Sequence, residues 1–492
     1  MLKNLTAQAI SGFIWSSIDR FGQLGFSFVV QIILARLLLP EQFGLVAMVI
    51  VFVTIGKAIT DSGFSQALIQ KKSIDLEDGT TVFAFNLGVA FLIWLLLSAL
   101  SPLIAGFFEE PELRALLPFL SSSIFFSAFG QVHLAFLTRE LALQKSVRAS
   151  LPAILIAGAI SIGLAICGWG VWALAANTIL QSAFFSLFLW FVSPWRPTPA
   201  FSTSSLRSMF SFGSRLAAAG ILRTLMRNIF VLVIGKGFSA TEVGYYHKAV
   251  NFQNLGAESF SSVISRVTFP LYSRIQNDRD RLRRAFLQSL SLLALFFFPV
   301  MALLAGVAGP LIHTLIGEKW LPVIPYLQLL SIVGALFPIH AASLNILKAL
   351  GKSKQFLHLE IIKQSLALLI LMVSFHFGVL AIVAGRVVGA FLALWINAAY
   401  NSRYLGLSFA RQLKPLLLPG FLALLVFLSA MGSSRFFFDL PLMALSVGLV
   451  VGGGVAVGIT FLCRSCFQEE FSLLNRQFPR LSPLTRFFCI AS

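Results

Sequence analysis

Long apolar stretches separated by short polar breaks recur along almost the whole chain. Each contains about 20 mostly apolar residues, the length that crosses the hydrocarbon core of a membrane. The pattern predicts about fourteen transmembrane helices. They are expected near residues 12–38, 41–66, 80–104, 114–137, 147–167, 170–193, 208–235, 241–269, 285–309, 321–347, 355–376, 378–401, 415–431 and 440–462.

The composition supports this interpretation. Of the 492 residues, 58% are hydrophobic and only 11% are charged, whereas a soluble domain has about a quarter of its residues charged. The predicted fold class is therefore an all-α polytopic membrane protein. Neither the four Cys nor the six His have the spacing of a disulfide framework or a metal site, so we expect no metal and no cofactor.

The Lys and Arg residues in the polar breaks and at the ends of the spans predict the orientation of the chain. With the N-terminus in the cytoplasm, 23 of them lie on the cytoplasmic side and five on the opposite side. Positively charged loops stay on the cytoplasmic side, so both termini are expected there. The same rule accounts for the formal net charge of +18 without a nucleic acid, since basic loops bind anionic lipid.

Inside the predicted spans, basic residues outnumber acidic ones. A charge near the bilayer centre costs about 3 kcal/mol or more, so such residues usually face protein or a water-filled cavity. The surplus of positive charge predicts an anionic cargo. The basic residues are Arg20, Lys57, Arg215, Arg223, Arg227, Lys248, Arg266, Lys363 and Arg386, and the acids at similar depth are Asp19, Asp61, Glu258 and Glu360.

Arg223 and Arg227 are the first candidates for binding this cargo. They are four residues apart in span seven and so share a helix face. Two guanidinium groups on one face suit the two phosphates of a diphosphate, because each can bind oxygens in bidentate fashion. The alternative is that they pair with acids or carbonyls of a neighbouring helix.

Two further sets of charges lie in spans one and two. Lys57 and Asp61 are four apart, which favours a salt bridge along one helix; the alternative is a proton-responsive pair lining the cavity. Asp19 and Arg20 are adjacent and do not share a face. We expect Arg20 to face the cavity and Asp19 to pair elsewhere.

The second half of the chain contributes Lys248, Glu258 and Arg386. Lys248 and Glu258 are ten residues apart and lie on nearly the same side of span eight. A buried carboxylate such as Glu258 can carry a proton during transport, or it can pair with one of the arginines in span seven. Arg386 can reach the cavity or a nearby carbonyl.

The remaining charges have simpler explanations. Arg215 and Arg266 lie near the cytoplasmic boundary, where their side chains can extend to the interface. Glu360 and Lys363 share a helix face and predict an interfacial ion pair.

A short internal repeat divides the chain. Residues 39–44 and 239–244 each follow a long apolar span, and in each an acid comes just before a glycine, Gly44 or Gly244. Six spans separate the copies, so the halves should run parallel, related by a pseudo-two-fold axis along the membrane normal. The predicted organisation is an N-terminal lobe (1–193), a cytoplasmic linker (194–207), a C-terminal lobe (208–401), two peripheral spans (402–463) and a cytoplasmic tail (464–492).

Four segments carry a family resemblance. Residues 35–44 (ARLLLPEQFG) and 61–70 (DSGFSQALIQ) resemble the first signatures of polysaccharide flippases, and residues 170–174 (GVWAL) and 266–276 (RVTFPLYSRIQ) follow in the expected order. The chain is similar to the colanic-acid and teichuronic-acid exporter branch of the oligosaccharidyl-lipid flippases. That branch belongs to the multidrug/oligosaccharidyl-lipid/polysaccharide exporter superfamily.

The resemblance implies two six-helix lobes around a V-shaped cavity, plus two trailing helices. It implies a cargo of undecaprenyl-diphosphate-linked oligosaccharide, flipped across the bacterial inner membrane for surface polysaccharide synthesis. Related proteins often place an Asp at the position of Phe230, so the resemblance does not extend to ion coupling through span seven.

The sequence thus predicts a flippase that works by alternating access, and not an enzyme. Its partners would be the polyprenyl-diphosphate-linked glycan and membrane lipids, with a polysaccharide polymerase complex as a candidate protein partner and no nucleic acid. One alternative is a multidrug/cation antiporter of the same superfamily, whose cavity should be acidic. The other is a membrane-bound glycan polymerase or ligase, which needs larger outer loops than this chain has.

Overall fold

The computed structural model describes residues 2–61, 63–71, 75–199, 201–437 and 440–462. Side chains are described in the same ranges except for residues 2–14, 16–18, 20, 76, 208–219, 256–267 and 459–462. Arg20, Arg215, Glu258 and Arg266 therefore have no described side chain.

The described chain is helical throughout and divides into two compact units, Met1–His247 and Lys248–Ser492. The first unit contains α1 (Leu2–Leu37), α2 (Pro40–Asp61), α3 (Phe64–Gln70), α4 (Leu76–Phe108), α5 (Leu113–Arg139), α6 (Leu143–Ile166), α7 (Val171–Val192) and α8 (Thr203–Gly237). The first two turns of α9 (Ala240–Arg274) belong to the same unit. The predicted boundaries of the two lobes remain a prediction.

The second unit contains the rest of α9 and α10 (Arg279–Gly306), α11 (Ala308–Ile316), a 3₁₀ turn (Glu318–Trp320), α12 (Val323–Ala349), α13 (Ser353–Phe375), α14 (Val379–Leu405), α15 (Phe409–Arg435) and α16 (Pro441–Leu462). In it α10 packs against α12 and α15, and α14 packs against α12 and α13. Tyr272, Leu282 and Phe286 are buried in one of its apolar cores.

Eleven helical stretches among the described residues are long and apolar enough to cross a membrane, with α2 and α3 counted together. The long helices α1, α8 and α9 are outside this set, since their apolar runs are interrupted by charged residues or include undescribed side chains. The all-helical membrane fold is thus confirmed, whereas the count of fourteen spans remains a prediction.

The second predicted span is broken. It was expected as one helix near residues 41–66, but α2 ends at Asp61 and α3 begins at Phe64. Gly63 between them has φ 69°, a left-handed conformation that interrupts a helix and that glycine adopts without strain. Phe64 and Leu68 of α3 are buried together with Phe83 and Trp195 in an aromatic core.

The connection from α7 to α8 is bonded to the start of α4. Thr198 N–H donates to Thr80 Oγ1 at 3.0 Å, and Ser202 N–H donates to Thr81 Oγ1 at 2.9 Å. Trp195 is 5% exposed. Thr198 and Ser202 of the predicted linker are therefore bonded to α4.

The two repeated turns contact each other within the first unit. A Cβ atom added at Gly44 would lie 1.7 Å from the carbonyl oxygen of Ala240, and one added at Gly244 would lie 2.1 Å from the carbonyl oxygen of Pro40. Only glycine permits this approach of backbone to backbone. The repeat seen in the sequence is thus also a reciprocal contact in the structure.

Candidate functional site

Arg223 and Arg227 lie one turn apart on α8, and both are exposed. The helix packs against α2, α3 and α4. Among the described residues, Arg223 forms no ion pair and no side-chain hydrogen bond. The predicted arrangement of two guanidinium groups on one helix face is therefore present, and the binding of an anion by these groups remains a prediction.

Lys57 is bonded to a neighbouring helix. Its Nζ donates to Ser182 Oγ of α7 at 3.2 Å, and Ser182 Oγ donates in turn to the carbonyl oxygen of Thr178 at 3.1 Å. Lys57 and Asp61, both described, form no salt bridge, so this prediction is wrong. The lysine extends towards α7 and not along its own helix. Asp61 itself is half-buried.

Asp19 joins α1 to α6. Its Oδ1 accepts hydrogen bonds from Gln23 Nε2 at 2.8 Å and from Ser150 Oγ at 2.5 Å. Within an apolar helix these two donors satisfy the carboxylate, so it forms part of the helix packing. The prediction was that Asp19 pairs with a residue other than Arg20, and its bonds to Gln23 and Ser150 agree with it. The side chain of Arg20 lies outside the described residues.

Lys248 is buried in the second unit. It is 4% exposed, and its Nζ lies 5.3 Å from the centre of the Trp320 ring, which is fully buried. An ammonium over an indole face is a cation–π contact worth about 2 kcal/mol when desolvated. In this state of the protein the lysine is held by Trp320, and its place in a cargo site remains a prediction.

The other predicted residues divide into three cases. Arg386 is half-buried on α14. The ion pair between Glu360 and Lys363 is confirmed at 2.5 Å. Glu258 has no described side chain, so its role stays a prediction.

A second group of polar and aromatic residues was not predicted from the sequence. Gln42, Glu112, Trp169 and Trp172 line a cavity of about 360 Å³ in the first unit. They lie at or just before the starts of α2, α5 and α7, which are far apart in sequence, so no spacing rule joins them. The only local signal is the Trp between two glycines at 168–170, and glycines of this kind often fix an exposed turn.

The fold is that of solved membrane transporters. A structure of the lipid II flippase MurJ in an inward closed conformation matches with a TM-score of 0.70 and 15% identity, over 93% of this chain and 99% of that one. An inward-facing multidrug resistance transporter of the MATE family, in the MOP superfamily, matches with a TM-score of 0.62 and 18% identity, over 80% and 98%. The class of fold is therefore the all-helical membrane fold of these structures.

A family model described as polysaccharide biosynthesis protein matches residues 33–325. The chain belongs to this family of polysaccharide biosynthesis proteins, which confirms the resemblance drawn from the four sequence segments.

Three relatives show how far the similarity extends. The lipopolysaccharide biosynthesis protein WzxC of Escherichia coli (strain K12) is 30% identical over 68% of each chain. The teichuronic acid biosynthesis protein TuaB of Bacillus subtilis (strain 168) is 25% identical over 97% of this chain and 99% of its own. The succinoglycan biosynthesis transport protein ExoT of Rhizobium meliloti (strain 1021) is 26% identical over 69% and 68%.

Proposed function

We propose that this protein is a flippase for undecaprenyl-diphosphate-linked oligosaccharide units, working by alternating access in surface polysaccharide synthesis. Family membership and relatives concerned with three different polysaccharides support transport of a lipid-linked glycan. The observation that carries the proposal is the exposed pair Arg223 and Arg227 on one face of α8. The protein is a transporter and not an enzyme.

In this mechanism the two arginines receive the diphosphate from the cytoplasmic leaflet. Their planar guanidinium groups bind phosphate oxygens in bidentate fashion, while the polyprenyl chain stays in lipid and the sugars occupy water. Arg20, Lys57, Lys248 and Arg386 supply further positive charge as the cargo moves. Asp61 and Glu258 are the proposed carriers if an ion gradient drives the cycle.

The distribution of the acids argues against the cation antiporter. Such a transporter needs an acidic cavity, whereas the predicted spans contain nine basic residues and four acids. One of these acids, Asp19, already accepts two hydrogen bonds at the packing of α1 on α6. The polymerase or ligase fits less well because the outer connection at 109–112 is only a few residues long. In the other predicted outer loop, α11 and a 3₁₀ turn take up most of residues 308–320.

The localisation follows from the same proposal. The protein is a polytopic membrane protein; we place it in the bacterial inner membrane with both termini in the cytoplasm, where the lipid-linked glycan is assembled. A polysaccharide polymerase complex would receive the cargo on the other side.

Flipping of fluorescent lipid-linked oligosaccharide in reconstituted vesicles tests this function. Each charged hydrogen bond to phosphate contributes about 1.5–3 kcal/mol, so Arg223→Ala and Arg227→Ala should each slow transport about tenfold or more. The double variant with Lys at both positions should retain part of the rate, because charge remains but the bidentate geometry is lost.

Arg114→Ala and Arg435→Ala are the matched controls, since both remove an exposed arginine at the predicted outer ends of the spans. They should transport at the rate of the unaltered protein. Transport that is unchanged in the Arg223→Ala/Arg227→Ala double variant would show that these arginines do not bind the cargo.

A further inference from the structure

The cavity lined by Trp169 is separate from the arginine face of α8. It is bounded by the α1–α2 turn, the start of α5 and the turn between α6 and α7, all within the first unit. These turns lie at the end of the unit that the Lys and Arg distribution places outside the cytoplasm. We call it the Trp169 cavity.

The backbone of Trp169 is fixed. The flanking residues Gly168 and Gly170 have φ of 82° and 54°, conformations that favour glycine. Trp169 N–H donates to the carbonyl oxygen of Leu164 at 3.1 Å, and its own carbonyl oxygen accepts from Trp172 N–H at 3.1 Å. The turn thus fixes the point at which the Trp169 side chain leaves the backbone.

The indole itself has no structural partner among the described residues, and it is 58% exposed. In contrast, Trp94 and Trp190 of the same unit donate their Nε1–H to the carbonyl oxygens of Pro118 and Phe129. The Trp169 ring therefore projects from a fixed backbone, and its own surface remains available.

The polar residues that line the Trp169 cavity are Gln42 and Glu112. Gln42 Oε1 accepts from Leu39 N–H at 3.1 Å, and Gln42 Nε2 lies 2.8 Å from the point where a Cβ of Gly170 would be. This fixes the amide, and no acceptor for its NH₂ group occurs among the described residues. Glu112 adds an exposed carboxylate, and Trp172 is supported by an edge-to-face contact with Phe119 at 5.3 Å.

This combination is suited to a carbohydrate. A sugar ring presents C–H bonds that pack on an aromatic face, and hydroxyl groups that bond to amides and carboxylates. The cavity of about 360 Å³ is near the lower end of small-molecule sites, about 300–1,000 Å³, which suits one or two sugar rings. An aromatic membrane anchor would explain the Trp alone, but it requires neither the amide nor the carboxylate beside it.

We propose that the Trp169 cavity is a weak glycan-binding subsite, which holds sugars of the cargo at the outer end of the first unit after they cross the membrane. The proposal rests on the proposed function, since it takes the glycan of the lipid-linked cargo as its ligand. Trp169 packs on a sugar ring, and Gln42 and Glu112 bond to its hydroxyl groups.

Saturation-transfer NMR tests the subsite directly. The probe is the free oligosaccharide released by mild acid from the source strain's own lipid-linked precursor, added to the full chain in nanodiscs of phosphatidylethanolamine and phosphatidylglycerol. The unaltered protein should transfer saturation to the sugar ring protons. Trp169→Ala should reduce this signal at least fivefold, Glu112→Gln about two- to threefold, and Trp169→Phe should retain an intermediate signal.

The matched control is Trp395→Ala, which removes a Trp of the second unit that is also 58% exposed. Its signal should equal that of the unaltered protein. The proposal is overturned if the unaltered protein transfers no saturation to the sugar, if Trp169→Ala leaves the signal intact, or if Trp395→Ala reduces it as strongly. Should Trp169→Ala fail to fold, Glu112→Gln and Trp169→Phe decide in the same way.

The subsite and the proposed function fail in different experiments. The free oligosaccharide has neither diphosphate nor lipid, so the NMR signal does not depend on Arg223 and Arg227. Absence of that signal in the unaltered protein, with vesicle transport intact, would reject the subsite alone. If the protein binds the sugar but the Arg223 and Arg227 variants transport normally, the diphosphate mechanism is rejected and the sugar contact is not.

Discussion

Charged side chains in the predicted spans are of two kinds, those bonded to or covered by a neighbouring side chain and those that are exposed. Asp19 and Lys57 are bonded to side chains of a neighbouring helix, and Lys248 is covered by an indole ring. Arg223 is exposed, and no ion pair satisfies it within the described chain. Charges of the first kind hold helices together, whereas a charge of the second kind is suited to a ligand.

Substitution of Asp19 separates packing from ion coupling. Asp19→Ala removes the acceptor for Ser150 and Gln23, and interhelical hydrogen bonds in membranes contribute about 0.6–1.7 kcal/mol. We expect a thermal midpoint lower by a few degrees in detergent, with vesicle transport per folded molecule unchanged. Asp19→Asn retains an acceptor oxygen and should lose less stability. Transport abolished in both variants, with stability intact, would make Asp19 a coupling residue.

Sequence spacing predicted the contacts of some charges and not of others. Glu360 and Lys363 were expected on one helix face, and they form an ion pair. Lys57 and Asp61 met the same spacing rule, yet Lys57 bonds to Ser182, 125 residues away. A spacing rule sees only one helix, so it cannot show that a neighbouring helix offers a hydroxyl.

At the scale of elements, the reciprocal contact of the two repeated turns depends on two glycines. Gly44→Ala would place a methyl group 1.7 Å from the carbonyl oxygen of Ala240, so backbone must move. Overpacking of this kind costs about 1–3 kcal/mol. We expect a lower thermal midpoint for Gly44→Ala and for Gly244→Ala.

Gly25→Ala is the control for this prediction, because a Cβ there meets nothing within 4 Å. Gly25 lies inside α1, where Ala is favoured over Gly by about 0.5–1 kcal/mol, so its midpoint should stay the same or rise. Equal midpoints for Gly44→Ala and Gly25→Ala would contradict the close contact.

Most helix boundaries could be predicted from the sequence. The apolar runs, which end at prolines and charged residues, coincide with α4 to α10 and α12 to α16 to within several residues. The break at Gly63 could not be predicted, because one glycine in an apolar run is usually tolerated in a helix. Nor could α11, since a run of nine helical residues is too short to distinguish from a loop.

At the scale of the whole molecule, the uneven distribution of Lys and Arg predicts which ends of the helices face the cytoplasm. We expect a membrane-impermeant maleimide to label Arg435→Cys in spheroplasts of a strain whose protein has its four Cys replaced by Ser. Lys354→Cys should react only after permeabilisation. Both positions are exposed, so a difference in labelling reports the side of the membrane and not burial of the cysteine. The opposite pattern would invert the orientation and place the Trp169 cavity in the cytoplasm.

The meeting of Gly44 with Ala240 and of Gly244 with Pro40 has an evolutionary consequence. Each turn contacts the other through the same surface, with its glycine against the first helical residue of the other turn. This is the geometry of an isologous interface between identical subunits. A shorter precursor carrying one such turn would therefore already have been able to pair with a second copy of itself. Gene fusion would then have joined two chains that were associated before they were linked.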